Sequence, residues 1–167
     1  MNKAIFFDRD GVLNEEVGYL YEVEKFQWID GAREAIKLFN DKKFLTIVVT
    51  NQSGIARGYY TEEDVKNLHN FMQESLKEID AHIDAFYYCP HHPEGSVDAY
   101  KKNCNCRKPK AGMIFQAQKD FDIDLKNSIL IGDSKRDIES AENAGIEKTI
   151  LFDGKNLFDT LKKFLEE

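Results

Sequence analysis

Apolar positions along this chain follow two alternating rhythms. Short unbroken runs at 3–7, 44–49, 85–88, 128–131 and 148–152 have the length and continuity of strands buried on both faces. Between them the spacing turns helical. Ala32, Ala35, Ile36 and Phe39 repeat behind Asp30, the expected N-cap. Val65, Leu68, Met72, Leu76 and Ile79 form a longer stripe, opened by Thr61-Glu62-Glu63-Asp64, which is close to a capping box. Ile114, Ala117 and Phe121 continue the scheme, as do Ile138, Ala141 and Ala144, which stop at Gly145, a C-cap residue. Leu157, Phe158, Leu161 and Leu165 predict a closing helix. Strands that alternate with helices pair in parallel through crossover connections, so the pattern predicts an α/β fold, an open doubly wound parallel sheet. Residues 1–167 are expected to form one domain.

In such sheets ligands sit beyond the carboxyl ends of the strands. Polar residues gather there. Asp8 and Asp10 follow the first strand, Thr50 and Asn51 the second, Cys89 and His91 the third, and Gly132 and Asp133 the fourth. Two acids in a strand-to-helix turn can be plain turn residues that bond nearby amides. Three features weigh against that. Thr50-Asn51-Gln52-Ser53-Gly54 offers a hydroxyl and amides in a glycine-relieved turn, the makings of an anion nest. Lys108 arrives just before a helix, and Asp133 adds a third carboxylate on the same sheet edge. Two stretches fall outside the sheet, 14–27 and the insertion 89–110, which holds all three prolines; connections that long are usually functional.

Composition narrows the partners. A formal net charge of -7, with no basic face interleaved with aromatics, argues against a duplex nucleic-acid binder. No apolar run approaches a membrane span, and residues 1–7 are too short for a signal peptide. Three cysteines, an odd number, all lie between 89 and 106, unlike a secreted disulfide framework. A reducing cytoplasm is expected. Cys89-x-His91, with His92 beside it, and Cys104-x-Cys106 offer soft and borderline ligands suited to tetrahedral Zn2+. His69 and His82 are expected at the surface.

Asp8-Arg9-Asp10-Gly11-Val12, Thr50-Asn51-Gln52, Lys108 and Gly132-Asp133 resemble the four ordered motifs of the haloacid dehalogenase (HAD) superfamily. More narrowly, the stretch from Thr50 to Gly58, Cys89-Pro90-His91-His92-Pro93 and Cys104-Asn105-Cys106-Arg107-Lys108-Pro109 resemble the D-glycero-D-manno-heptose 1,7-bisphosphate 7-phosphatases. The resemblance implies a capless HAD-like Rossmannoid core with a zinc-binding loop at 89–110. It implies that Asp8 is the nucleophile of an aspartyl-phosphate reaction and Asp10 the general acid and base. Thr50 and Lys108 would bind the phosphoryl group. Catalytic Mg2+ would be held by Asp8, Asp133 and the Asp10 carbonyl, and structural Zn2+ by Cys89, His91, Cys104 and Cys106, with His91 preferred over His92. Arg9, Glu16, Val17, Gly18, Tyr19, Asn51, Gln52, Ser53, Arg107 and Ser134 would line the substrate, a small sugar phosphate of ADP-heptose synthesis, with the enzyme acting as a monomer. Arg57 and Lys110 are candidates for a second phosphate.

Histidinol-phosphate phosphatase is the nearest rival, since it shares the catalytic motifs and the zinc loop. That branch typically has Asp where this chain has Ser53, and it lacks the continuation from Ile55 to Gly58. A polynucleotide 3′-phosphatase would want a basic surface, and a non-catalytic zinc module would not need Asp8, Asp10, Thr50, Lys108 and Asp133 together. Two departures from the heptose pattern concern the substrate: Ser134 stands where Lys is frequent, and Ala111 replaces a frequent Pro.

Overall fold

The computed structural model describes residues 1–167. Five strands, β1 (Ala4–Phe7), β2 (Leu45–Asn51), β3 (Ala85–Cys89), β4 (Ile129–Gly132) and β5 (Lys148–Leu151), form one parallel sheet in the order β3-β2-β1-β4-β5. Alternate side chains of the central strands feed two cores. Ile5, Phe7, Val48, Ile129 and Ile131 point to one face, where they meet helices α1 (Ala32–Asp41), α2 (Glu62–Lys77) and α5 (Leu157–Leu165). Ala4, Phe6, Ile47, Val49 and Leu130 point to the other, against α3 (Gly112–Phe121) and α4 (Lys135–Ala144). Burial on both faces is why these strands read as continuous apolar runs rather than as alternation.

The strand order reverses between β1 and β4, and that switch point opens a crevice at their carboxyl ends. Asp8 leaves β1 there and Asp133 leaves β4. The expected elements all form, with two instructive differences. β2 runs on through Thr50 and Asn51, which pair with Tyr88 and Cys89; apolarity ends at Val49, whereas the backbone ladder continues. α1 is not capped by Asp30. Gly31 takes the N-cap in the left-handed region at φ 78°, and the Asp30 carbonyl accepts instead from the Leu157 amide at the start of α5. A Cβ on Gly31 would overlap Asn156 and the Phe158 backbone, so the close approach of α5 requires glycine.

α2 begins as expected. The Thr61 hydroxyl accepts from the Asp64 amide and the Asp64 carboxylate from the Thr61 amide. Glu62 in this first turn accepts 2.6 Å hydrogen bonds from the phenols of Tyr88 and Tyr100, tying α2 to β3 and to the 89–110 loop. These bonds hold the Glu62 carboxyl below its ordinary value.

Candidate active site

Asp8 is 9% exposed at the tip of β1, and its Oδ1 accepts from Lys108 Nζ at 2.9 Å and from the Arg9 amide at 2.9 Å. Lys108 arrives from the 89–110 loop and is itself buried. Its ammonium also donates to Asp137 Oδ1 at 2.6 Å and to the Val49 carbonyl at 3.1 Å. Burial alone would lower the Lys108 pKa, but the carboxylates of Asp8 and Asp137 overcome it and raise the net value, so the side chain stays cationic. Burial also pushes the Asp8 carboxyl well above its ordinary range against the pull of Lys108, with the Asp137 charge adding to the rise.

Asp137 was not singled out from the sequence. It is buried at the start of α4, and Oδ2 accepts from the amides of Asp133 and Ser134 and from the Ser134 hydroxyl. Burial works to raise its pKa, but the attraction of Lys108 and the bonds from Ser134 win and lower it. A Ser-x-x-Asp helix start was the signal that could have identified it. Asp8, Asp133 and Asp137 bring one carboxylate oxygen each within 4.8 Å of one another. Both oxygens of Asp137 are already occupied, so Asp8 and Asp133 are the two free to hold a cation. The Asp10 carbonyl accepts no backbone hydrogen bond, which leaves it available as a third hard oxygen. Gly11, at φ 88°, lets the chain turn under Asp133, whose carboxylate a Cβ there would strike.

Asp10 is held by its neighbours. Oδ1 accepts from Arg9 Nε at 3.3 Å, Arg9 Nη2 at 3.1 Å and Asn14 Nδ2 at 3.0 Å, and Oδ2 accepts from Gln52 Nε2 at 3.1 Å. Gln52 Nε2 also donates to Thr50 Oγ1 at 2.9 Å, and Gln52 Oε1 accepts from the Tyr60 phenol. Asn51 grips the Lys108 backbone from both sides: Oδ1 accepts from its amide at 3.0 Å and Nδ2 donates to its carbonyl at 3.4 Å. The second strand end therefore positions the third motif.

Two clefts adjoin here. The inner one, about 200 Å3, has no apolar lining residue; Asp8, Asp10, Glu16, Asp133 and Asp137 stand against only Lys108 and Arg136, with Thr50, Asn51 and Ser134 between them. Five acids against two cations would repel a phosphate dianion unless a divalent ion entered with it. The outer cleft, about 340 Å3, shares Asp10, Glu16, Asn51 and Arg136 with the inner one and adds Gly18, Tyr19, Gln52, Ser53, Arg57, Tyr60 and Arg107. Arg57 and Arg107 of this lining each keep a buried Nε with no hydrogen-bond partner.

Several expectations need correction. Arg9, expected against the substrate, is fully buried; its guanidinium is spent on Asp10, the Leu20 carbonyl and His69. Val17 is exposed and lines neither cleft. Lys110 also lies outside both clefts, its Nζ donating to the Cys104 carbonyl at 2.8 Å, and Arg136 occupies the place expected for it. His69, expected at the surface, is 5% exposed and stacks on Phe86. It occupies the one polar position on the buried face of α2, where helical spacing gave no reason to look for a partner.

In the 89–110 loop, Sγ of Cys104 lies 3.5 Å from those of Cys89 and Cys106, and His91 Nδ1 lies 3.8 Å from Cys89 and 3.4 Å from Cys106. All four ligand atoms fall within 4.8 Å of one another. A tetrahedral zinc with metal–sulfur bonds of about 2.3 Å has edges of roughly 3.8 Å, near the spacings made by Cys104 and His91, so the donor set fits that ion when all three cysteines are reduced. Cys89 and Cys106 differ from the expectation of four open ligands: their sulfurs are in disulfide contact, with Cα atoms 5.5 Å apart, and Cys104 is the free thiol. His92 lies outside this cluster, and its Nε2 stands 3.3 Å from Arg57 Nη2.

A carboxylate nucleophile candidate, a buried lysine and a carboxylate cation site at a Rossmann-like switch point define a phosphoryl-transfer site on a HAD-like frame. The HAD-hydrolase-like family model matches residues 105–165. A D-glycero-beta-D-manno-heptose-1,7-bisphosphate 7-phosphatase of Haemophilus influenzae is 46% identical over 151 residues, which cover 90% of this chain and 82% of that protein. The D-glycero-alpha-D-manno-heptose-1,7-bisphosphate 7-phosphatase of Burkholderia mallei is also 46% identical, over 90% of this chain and 79% of its own length. The crystal structure of D,D-heptose 1,7-bisphosphate phosphatase from B. bronchiseptica, complexed with magnesium and phosphate, superposes with a TM-score of 0.84 at 27% identity, covering 98% of both chains. The chain belongs to the heptose 1,7-bisphosphate 7-phosphatase family of HAD-like hydrolases.

Proposed function

We propose that this protein removes the 7-phosphate of D-glycero-D-manno-heptose 1,7-bisphosphate through an aspartyl-phosphate on Asp8. The observation that carries this reading is the pair of adjoining clefts, acid-lined within and arginine-lined without, which suits a sugar bearing a phosphate at each end. Residues 1–167 act as one phosphatase unit, with 89–110 as its zinc loop.

Asp8 attacks the C7 phosphorus while Lys108 and Thr50 hold the equatorial oxygens, and Asp10 gives its proton to the departing C7 oxygen. Asp10, now a carboxylate, takes a proton from the water that cleaves the acyl phosphate and so returns to its starting state. Asp8, Asp133 and the Asp10 carbonyl would hold Mg2+, which supplies positive charge against the phosphate oxygens and among the crowded carboxylates. Cys89, His91, Cys104 and Cys106, as thiolates and neutral imidazole, would hold a structural Zn2+ with no open position. Arg57, Arg107 and Arg136 bind the 1-phosphate, while Glu16, Gly18, Tyr19 and Ser53 surround the sugar. The need for reduced thiols suits a cytoplasmic enzyme, and the complete site within one chain suits a monomer.

The test is a side-by-side turnover comparison with histidinol phosphate in the presence of Mg2+. Heptose 1,7-bisphosphate is expected to be preferred by at least about tenfold in kcat/KM, since a site built for two phosphates leaves arginines unpaired with one. Preference for histidinol phosphate would overturn the substrate assignment.

A further inference from the structure

Arg9 sits next to the nucleophile yet touches no solvent, and its donors go to three partners. Nε and Nη2 converge on Asp10 Oδ1, Nη2 also donates to the Leu20 carbonyl, and Nη1 faces His69 Nε2 at 3.2 Å. No other acceptor stands at Nη1. A guanidinium only donates, so the imidazole must accept through Nε2 and carry its single proton on Nδ1. Burial, with the Arg9 charge second, holds the His69 pKa down to about 2, and the ring remains neutral across the working range. Phe86 fixes its plane, with ring centroids 4.2 Å apart and planes 13° from parallel.

We propose that His69 is a positioning residue for the general acid. As a neutral acceptor it locks the Arg9 fork onto Oδ1 of Asp10 and leaves Oδ2 as the oxygen that exchanges the proton. This rests on the reading of Asp10 as acid and base. Three donors crowd Oδ1, from Arg9 and Asn14, so a proton there would face N–H groups; Oδ2 meets only Gln52 Nε2, and Asp10 lines the inner cleft. When the C7–O–P linkage breaks at the P–O bond, the Oδ2 proton passes to the alkoxide oxygen and Asp10 is left as the carboxylate. The same oxygen then recovers a proton from the attacking water. Without an acceptor at His69, Nη1 is a buried unpaired donor and the guanidinium turns to find another partner, freeing Oδ1 and dividing the proton between two oxygens.

Two variants and two esters test this. His69→Leu removes the acceptor and keeps bulk; His69→Gln keeps an acceptor. The sugar bisphosphate has an alkoxide leaving group that needs the proton, whereas p-nitrophenyl phosphate does not. In single-turnover formation of the acyl phosphate, His69→Leu is expected to lose about tenfold or more on the sugar ester, with KM nearly unchanged and p-nitrophenolate release near the wild-type rate. His69→Gln is expected within about threefold of wild type on both. Equal losses on the two esters, a change confined to KM, or full activity in a folded His69→Leu would overturn the proposal. Nitrogen-15 NMR of the wild-type imidazole provides a check independent of variant folding: a neutral ring protonated at Nδ1 from pH 5 to 8 is expected, and a charged or Nε2-protonated ring overturns it. Wild-type protein inert on both esters would instead sink the phosphatase reading itself.

Discussion

Asp137 shows how one buried side chain can organise several others. It holds the ammonium of Lys108 with one oxygen and the turn after β4 with the other, so it sets the position of both Lys108 and Asp133. Asp137→Asn keeps the shape but leaves Lys108 with Asp8 as its single ionic partner. Breaking a buried pair from one side is costly, so urea unfolding is expected to report a loss of about 3 kcal/mol. Turnover should fall about a hundredfold as Lys108 is drawn onto Asp8. A variant as active as wild type would show that Lys108 needs no second anchor. Arg9 carries a related lesson: the resemblance placed it against the substrate, and burial makes it a support for Asp10.

At the scale of elements, the 89–110 loop matters through where it ends. Cys106 is followed directly by Arg107 and Lys108, so clamping the cysteine cluster delivers one cation to the outer cleft and one to the inner. The loop is also tied to α2 through Tyr100 and Glu62, and to β2 through Asn51. Purified, reduced protein is expected to hold about one zinc per chain, as the closed four-ligand set requires. Stripping it with a thiol-compatible chelator while Mg2+ is kept saturating should lower both the melting temperature and kcat, and zinc alone should restore them. Full activity in metal-stripped protein would separate this loop from catalysis.

Across the whole molecule, a formal charge of -7 coexists with a cleft that gathers Arg57, Arg107 and Arg136. They come from the turn after β2, the 89–110 loop and α4, and only the folded sheet edge assembles them. Arg136 is shared by both clefts and faces them from α4, two residues after the position where Ser134 replaces a frequent lysine. Arg136→Ala is expected to raise KM for the bisphosphate about tenfold, the worth of one exposed charge-assisted contact. The increase for a heptose 7-monophosphate should be much smaller, and kcat should change little. Equal increases for the two substrates would place Arg136 on the transferred phosphate instead.

The sequence by itself determined the order of elements, the parallel doubly wound sheet and the meeting of Asp8, Asp10, Thr50, Lys108 and Asp133 at one sheet edge, because each of these is written locally. Apolar runs mark strands buried on two faces, helical spacing marks one-sided helices, and reactive side chains sit where strands end. The cysteine cluster was legible for the same reason, as a short-range spacing. Tertiary structure alone decided the rest. It buried Arg9 and His69 against each other across 60 residues, joined Asp137 to Lys108 across 29, and gave the outer cleft Arg136 rather than Lys110. Those choices depend on which side chains lose water when helices close on the sheet, and no local pattern encodes the desolvation that turns a surface-type residue into a buried partner.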